Sequence, residues 1–129
     1  GGVVINCSWI SDPKTLLIHV LDVSRGICPG ELIEEYMHYL DMKDRMIVLR
    51  KAFEFFVKSS EKLGKSIVVV LDEFHTLVDK LSYRIARETR KRKNVVESDI
   101  LWLLREFLES KRVFWILVTS IGWAKLKEM

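Results

Sequence analysis

The chain has 129 residues, 49% of them apolar and 30% charged, which allows one domain of ordinary size and excludes a disordered tail. Two prolines and six glycines exclude a collagenous or low-complexity chain. The 21 Lys and Arg against 18 Asp and Glu give a net charge of +3, too small to identify a partner.

No apolar run approaches the roughly 18 residues that a membrane span needs, so no membrane partner is expected. The chain opens Gly1-Gly2-Val3 without the charged start of a secretory segment, and the absent Met and the Gly pair read as a cloning scar or the edge of a longer protein. Cys7 and Cys28 share no metal-ligand or redox spacing. Both are expected to be buried intracellular thiols, and the expected compartment is the cytoplasm.

The first element is the run Val3-Val4-Ile5-Asn6-Cys7, dense enough for a strand buried on both faces. Ser11-Asp12-Pro13 then reads as a helix cap followed by an early proline. The helix places Leu16, Leu17, Val20 and Leu21 on one side and is expected to stop near Gly26. After the loop Cys28-Pro29-Gly30, a second helix points Leu32, Ile33, Tyr36, Met37 and Leu40 inward. A third runs from about Lys43 to Leu63, with Met46, Leu49, Phe53, Phe56 and Val57 at helical spacing, and Gly64 ends it.

Ile67-Val68-Val69-Val70-Leu71 is the second strand. Phe74, Leu77, Val78, Leu81 and Ile85 continue a helix that fades into the basic run ending at Lys93. Ser98 or Asp99 is expected to cap the next helix, whose apolar face is Ile100, Leu101, Leu104, Phe107 and Leu108. Val113 to Val118 is the third strand, and Ile121 to Met129 reads as the opening of another helix. Strands separated by long helical stretches give an α/β fold with a parallel sheet.

Right-handed crossovers that advance in one direction place their helices on one face of the sheet. Two connections therefore cover one face and leave the other bare, although the second and third strands are apolar at both alternating sets of positions. Residues 1–129 are accordingly expected to be part of a domain.

The segment richest in chemistry is Ile67-Val68-Val69-Val70-Leu71-Asp72-Glu73. A buried strand that ends in two acids is the pattern of a Walker B element in P-loop ATPases. The first acid, Asp72, would hold the water shell of a Mg²⁺ bound to the β- and γ-phosphates. The second, Glu73, would orient or deprotonate the attacking water. The alternative is a strand leaving the core through polar residues that cap the next helix. Thr119-Ser120, at the end of the third strand, offers either a polar sensor for the γ-phosphate or another helix cap.

In this layout the chain resembles the archaeal ATPase family of the AAA+ and STAND branches of P-loop NTPases. The resemblance rests on Val68-Val69-Val70-Leu71-Asp72-Glu73-Phe74-His75, on Ser98 to Phe107, and on Val113 to Gly122. Val3-Val4-Ile5-Asn6-Cys7 also resembles the strand after the P-loop helix in this family and in origin-recognition initiators. The resemblance implies a three-layer P-loop NTPase-like core, incomplete over residues 1–129, with three strands in the family's order 2-3-4. It implies ATP and Mg²⁺ as cofactors, Asp72 for the metal through water, Glu73 as the catalytic residue and Thr119 or Ser120 as nucleotide sensor. A DNA-linked role is also implied.

The family's P-loop is expected before Val3, outside this sequence. Gly64-Lys65-Ser66 does not replace it, because Ser59 stands where the motif needs its first Gly. The triplet also ends a helix and enters a strand, whereas a P-loop leaves a strand and enters a helix. The expectation is an ATPase in its parent context and no hydrolysis by residues 1–129 alone.

Two other readings belong to different classes. One is a non-catalytic interaction module that self-associates through an exposed sheet edge at Val113–Val118. The other is a DNA-binding fragment using Arg84, Arg87, Arg90, Lys91, Arg92 and Lys93. That run holds no interleaved aromatic residue, which favours a solvated helix end. His75 is expected to pack against the sheet, and His19 and His38 have no partner at zinc-ligand spacing. Trp9, Trp102, Trp115 and Trp123 are expected in core and edge packing. No Ser, His and Asp set and no reactive Cys pair stands out.

Overall fold

Each apolar run forms a strand in the computed structural model, which describes residues 1–119. The strands are β1 (Gly2–Asn6), β2 (Ile67–Asp72) and β3 (Val113–Val118). They pair in the order β1-β2-β3, all parallel, so β2 is central. A 3₁₀ turn (Cys7–Trp9) and helices α1 (Pro13–Val23), α2 (Gly30–Met37) and α3 (Arg45–Leu63) connect β1 to β2. Helices α4 (Phe74–Thr89) and α5 (Lys93–Leu108) connect β2 to β3.

Local chemistry explains the helix ends. Asp12 Oδ1 accepts a hydrogen bond from the Lys14 amide at 2.8 Å, and Pro13 follows at the first helical position. Asp44 Oδ1 likewise accepts from the amides of Met46 and Ile47 at 3.0 and 3.3 Å. Gly64 closes α3 in the left-handed region, with φ of 67°. Arg45 then ties three elements together, reaching Asp12 at 3.1 Å and Glu88 at 3.1 Å.

Strand alternation sorts the sheet into two faces. On one, Ile5 and Leu71 meet Leu16 and Val20 of α1 and Phe53 and Phe56 of α3. Trp115 joins the same layer, its indole N–H donating to Phe107 O at 3.0 Å, with the Phe53 ring 5.6 Å away. The other face is uncovered among the described residues. Its rows are Gly2-Val68-Phe114, Val4-Val70-Ile116 and Asn6-Asp72-Val118, set side by side by the strand register. Val4 is 61% exposed and Phe114 63%. The bare sheet face expected from the topology is therefore present in the described structure.

Several expectations need correction. Ser98 and Asp99 do not cap α5; they lie inside it, because the helix starts at Lys93. Buried Val96 is the reason, as it begins the stripe continued by Ile100, Leu103, Leu104 and Phe107. Leu101 falls off that stripe and is exposed, as does Met37 in α2. Trp9 and Trp102 are also exposed, not packed in the core. Cys7 and Cys28 are both buried free thiols. The expectations for Ser120, Trp123 and a helix over 121–129 lie outside the described residues. Among the described residues no helix is long and apolar enough to cross a membrane.

Candidate functional site

The C-terminal ends of the three parallel strands bring the predicted polar residues to one edge. Asp72 ends the central strand on the uncovered face, between Asn6 of β1 and Val118 of β3. Its position follows from parity: Val68 and Val70 precede it on the same face. Asp72 is half-buried and, among the described residues, enters no ion pair. Thr119 follows Val118 directly and is exposed at the same edge. Ser120, the other sensor candidate, lies outside the described residues.

Glu73 adopts φ 59° and ψ 41°, a left-handed backbone that residues other than Gly, Asn and Asp rarely take. It occupies the N-cap position of α4 without capping it by its side chain. Thr76 holds this conformation in place. Its amide and its hydroxyl both donate to Glu73 O, at 3.1 and 2.8 Å. The same hydroxyl lies 3.4 Å from Cys7 O, linking the turn to the segment after β1. The Glu73 carboxylate stands 3.6 Å from His75 Nε2.

His75 is exposed on this edge and does not pack against the sheet, contrary to expectation. Asn6 was not anticipated at all. Its Oδ1 accepts from the Ser8 amide at 3.1 Å and from the Ser8 hydroxyl at 2.7 Å, fixing the 3₁₀ turn beside Asp72. The signal for both lay in the sequence, as a polar residue that ends one strand and another three residues beyond the end of the next.

Burial pushes the Cys7 thiol up to about 12, and the negative charge of Asp72 adds to the shift. Cys7 is consequently a protonated, inert thiol and no candidate nucleophile.

The residues fit a magnesium-bound phosphate in one limited respect. Among the described residues no three His, Cys, Asp or Glu side chains converge on a point where they would cage a metal ion. A single carboxylate facing open space at the strand ends suits an ion that keeps most of its waters and takes its other ligands from phosphate. Gly64-Lys65-Ser66 stands at the opposite end of β2, roughly 20 Å away along the strand. Its glycine is the C-cap of α3, and Ser60 Oγ donates to Lys65 O at 2.7 Å. It forms no phosphate cradle for Asp72.

Comparison of the chain with protein-family models, curated proteins and solved structures gives no match.

Proposed function

We propose that residues 1–129 form the metal-binding and water-activating half of a P-loop-type ATPase domain. The observation that carries this reading is Asp72 at the C-terminal end of the central parallel strand, on the sheet face that no described helix covers, with Glu73 following it at the start of α4. Ligands of open α/β sheets dock outside the carboxyl ends of their strands, where Asp72, Glu73 and Thr119 lie together. When bound, Mg²⁺-ATP would supply the electrophilic γ-phosphate and the charge that Asp72 complements. Asp72 would hold a metal-bound water, Glu73 would accept the proton of the attacking water, and Thr119 would donate a hydrogen bond to phosphate. The phosphate cradle would come from another segment, laid against the bare face.

The full-length protein tests this reading by Mg²⁺-ATP binding and phosphate release. Asp72→Asn is expected to lose the Mg²⁺-dependent part of binding. Glu73→Gln is expected to keep binding and to lose hydrolysis at least about 100-fold. A full-length protein that binds no nucleotide would overturn the proposal.

A second reading is favoured by the exposed apolar rows Val68-Phe114 and Val4-Val70-Ile116. In it, the chain is a non-catalytic module that pairs with a second copy through this face and the β3 edge. Light scattering separates the two readings: a stable dimer, indifferent to Mg²⁺-ATP and broken by Phe114→Lys, supports the second. A monomer overturns it.

A further inference from the structure

The sequence run of cations from Arg84 to Lys93 is divided in the structure between the last turns of α4, a left-handed residue at Arg90 and the first turn of α5. What the sequence boundary left out is Tyr83. Lys80, Tyr83, Arg84 and Arg87 follow spacings of three, four and seven along α4, so they share one side of the helix. The opposite side is the buried one, with Leu77, Val78, Leu81 and Ile85.

This outer side lines a cleft of about 770 Å³ together with Ser11, Asp79, Glu88 and Lys93. Tyr83 is 61% exposed within it. An aromatic ring so exposed contributes little to the core, and here it is surrounded by cations.

The acids in the cleft are already engaged. Asp79 pairs with Lys93. Glu88 pairs with Arg84 at 3.2 Å and with Arg45 at 3.1 Å. Asp12, behind them, holds Arg45 and Arg84. Lys80 donates to Ser8 O. Among the described residues Arg87, Arg90, Lys91 and Arg92 enter no ion pair and are exposed. The surplus charge is therefore positive and continues from the cleft around the α4–α5 turn.

We propose that this cleft binds single-stranded nucleic acid, with Tyr83 stacking on a base and Arg87, Arg90, Lys91 and Arg92 contacting successive phosphates. Residues 80 to 87 span roughly 10 Å of helix, enough to follow a strand over more than one nucleotide. A concave site with one planar ring suits a strand whose bases are unstacked, because stacking is indifferent to sequence and needs an accessible base face. A duplex hides its base faces, and a membrane surface needs a convex or flat contact. This inference does not depend on the nucleotide site at Asp72.

Fluorescence anisotropy with a labelled 20-mer of deoxythymidine, its duplex with deoxyadenosine, and anionic vesicles tests it on the 129-residue chain. The single strand is expected to bind best, with an affinity that falls steeply as salt rises. Arg87→Glu should weaken binding about tenfold and flatten the salt dependence. Tyr83→Ala should weaken it about tenfold with the salt slope unchanged, and Tyr83→Phe should restore it. Absence of binding at low salt overturns the proposal. So does equal affinity for the duplex with a silent Tyr83→Ala, or binding to vesicles in place of oligonucleotide.

Discussion

Ser59 and Ser60 sit next to each other in the last turn of α3, both buried, and their hydroxyls have opposite surroundings. Ser60 Oγ lies 2.7 Å from Lys65 O and 2.8 Å from Arg112 O, joining the entries of β2 and β3. Ser59 Oγ finds no hydrogen-bond partner among the described residues. Removing a partnered hydroxyl strands an acceptor, whereas removing an orphaned one relieves a desolvated group. Ser60→Ala is therefore expected to cost about 1 kcal/mol in urea unfolding. Ser59→Ala is expected to gain a few tenths to about 1 kcal/mol, helped by the better helix propensity of Ala. Equal effects of the two substitutions would contradict this assignment.

The same turn shows what the sequence made legible. Gly64 announced the end of α3, and Asp12-Pro13 announced the start of α1, because each supplies a backbone or capping property few residues share. The strands were legible from their β-branched runs, and the bare face from the handedness of crossovers. The start of α5 was not, since Arg92 offers no side-chain cap and the decisive residue, Val96, stands beside the exposed Val95 in an otherwise polar stretch that gives no helical period. Phe55, fully buried, escaped because α3 is enclosed over a wide arc and buries more than one stripe. At the candidate site the acids were visible. The left-handed backbone of Glu73 was not, as nothing in a glutamate signals it.

That backbone carries a prediction of its own. A non-glycine residue at φ 59° costs on the order of 1 kcal/mol relative to one free of a Cβ clash. Glu73→Gly is expected to match or exceed the parent chain in stability by up to about 1 kcal/mol, while Glu73→Val, β-branched, is expected to lose more than that. Urea denaturation of the two variants decides it. A strongly destabilised Glu73→Gly would show that the carboxylate, and not the strain, dominates the turn.

Acid sensitivity centres on Glu54 in α3. Its carboxylate accepts from Tyr36 Oη at 2.8 Å and from Lys51 Nζ at 2.9 Å. Burial pushes this carboxyl up, but the hydrogen bonds from Lys51 and Tyr36 outweigh it and leave the group below its ordinary value of 4.5. The hydrogen bond to Glu54 raises Lys51 in turn, although its own burial opposes this. A depressed carboxyl contributes stability above pH 4.5 that disappears as the pH falls through its folded value. Glu54→Gln should flatten the decline in melting temperature on acidification and lower stability at pH 7 by about 1 to 2 kcal/mol. An unchanged acid limb would remove Glu54 from its causes.

Alkaline sensitivity is governed by Cys7, whose thiol is pushed from 9.0 up to about 12 by burial and by Asp72. Below pH 9 both folded and unfolded chains hold this proton, so the thiol has no effect on the balance. Between pH 9 and 12 the unfolded chain releases the proton while the folded chain retains it, so stability falls as pH rises, by at most about 1.4 kcal/mol for each pH unit. Tyr36, raised above its ordinary 10.0 by burial and then by Glu54, acts in the same direction from pH 10 upward. Cys7→Ala isolates the thiol: its unfolding midpoint is expected to change less between pH 9 and 11 than that of the parent. Alkylation gives an independent reading, because Cys7 in the folded chain should resist iodoacetamide at pH 8 and react fully in denaturant. Rapid modification of native Cys7 would mean that the thiol is reachable and that the approach of Asp72 does not keep it protonated. The turn after β1, held against the start of α4 through Thr76, would then have to open far more readily than these contacts imply.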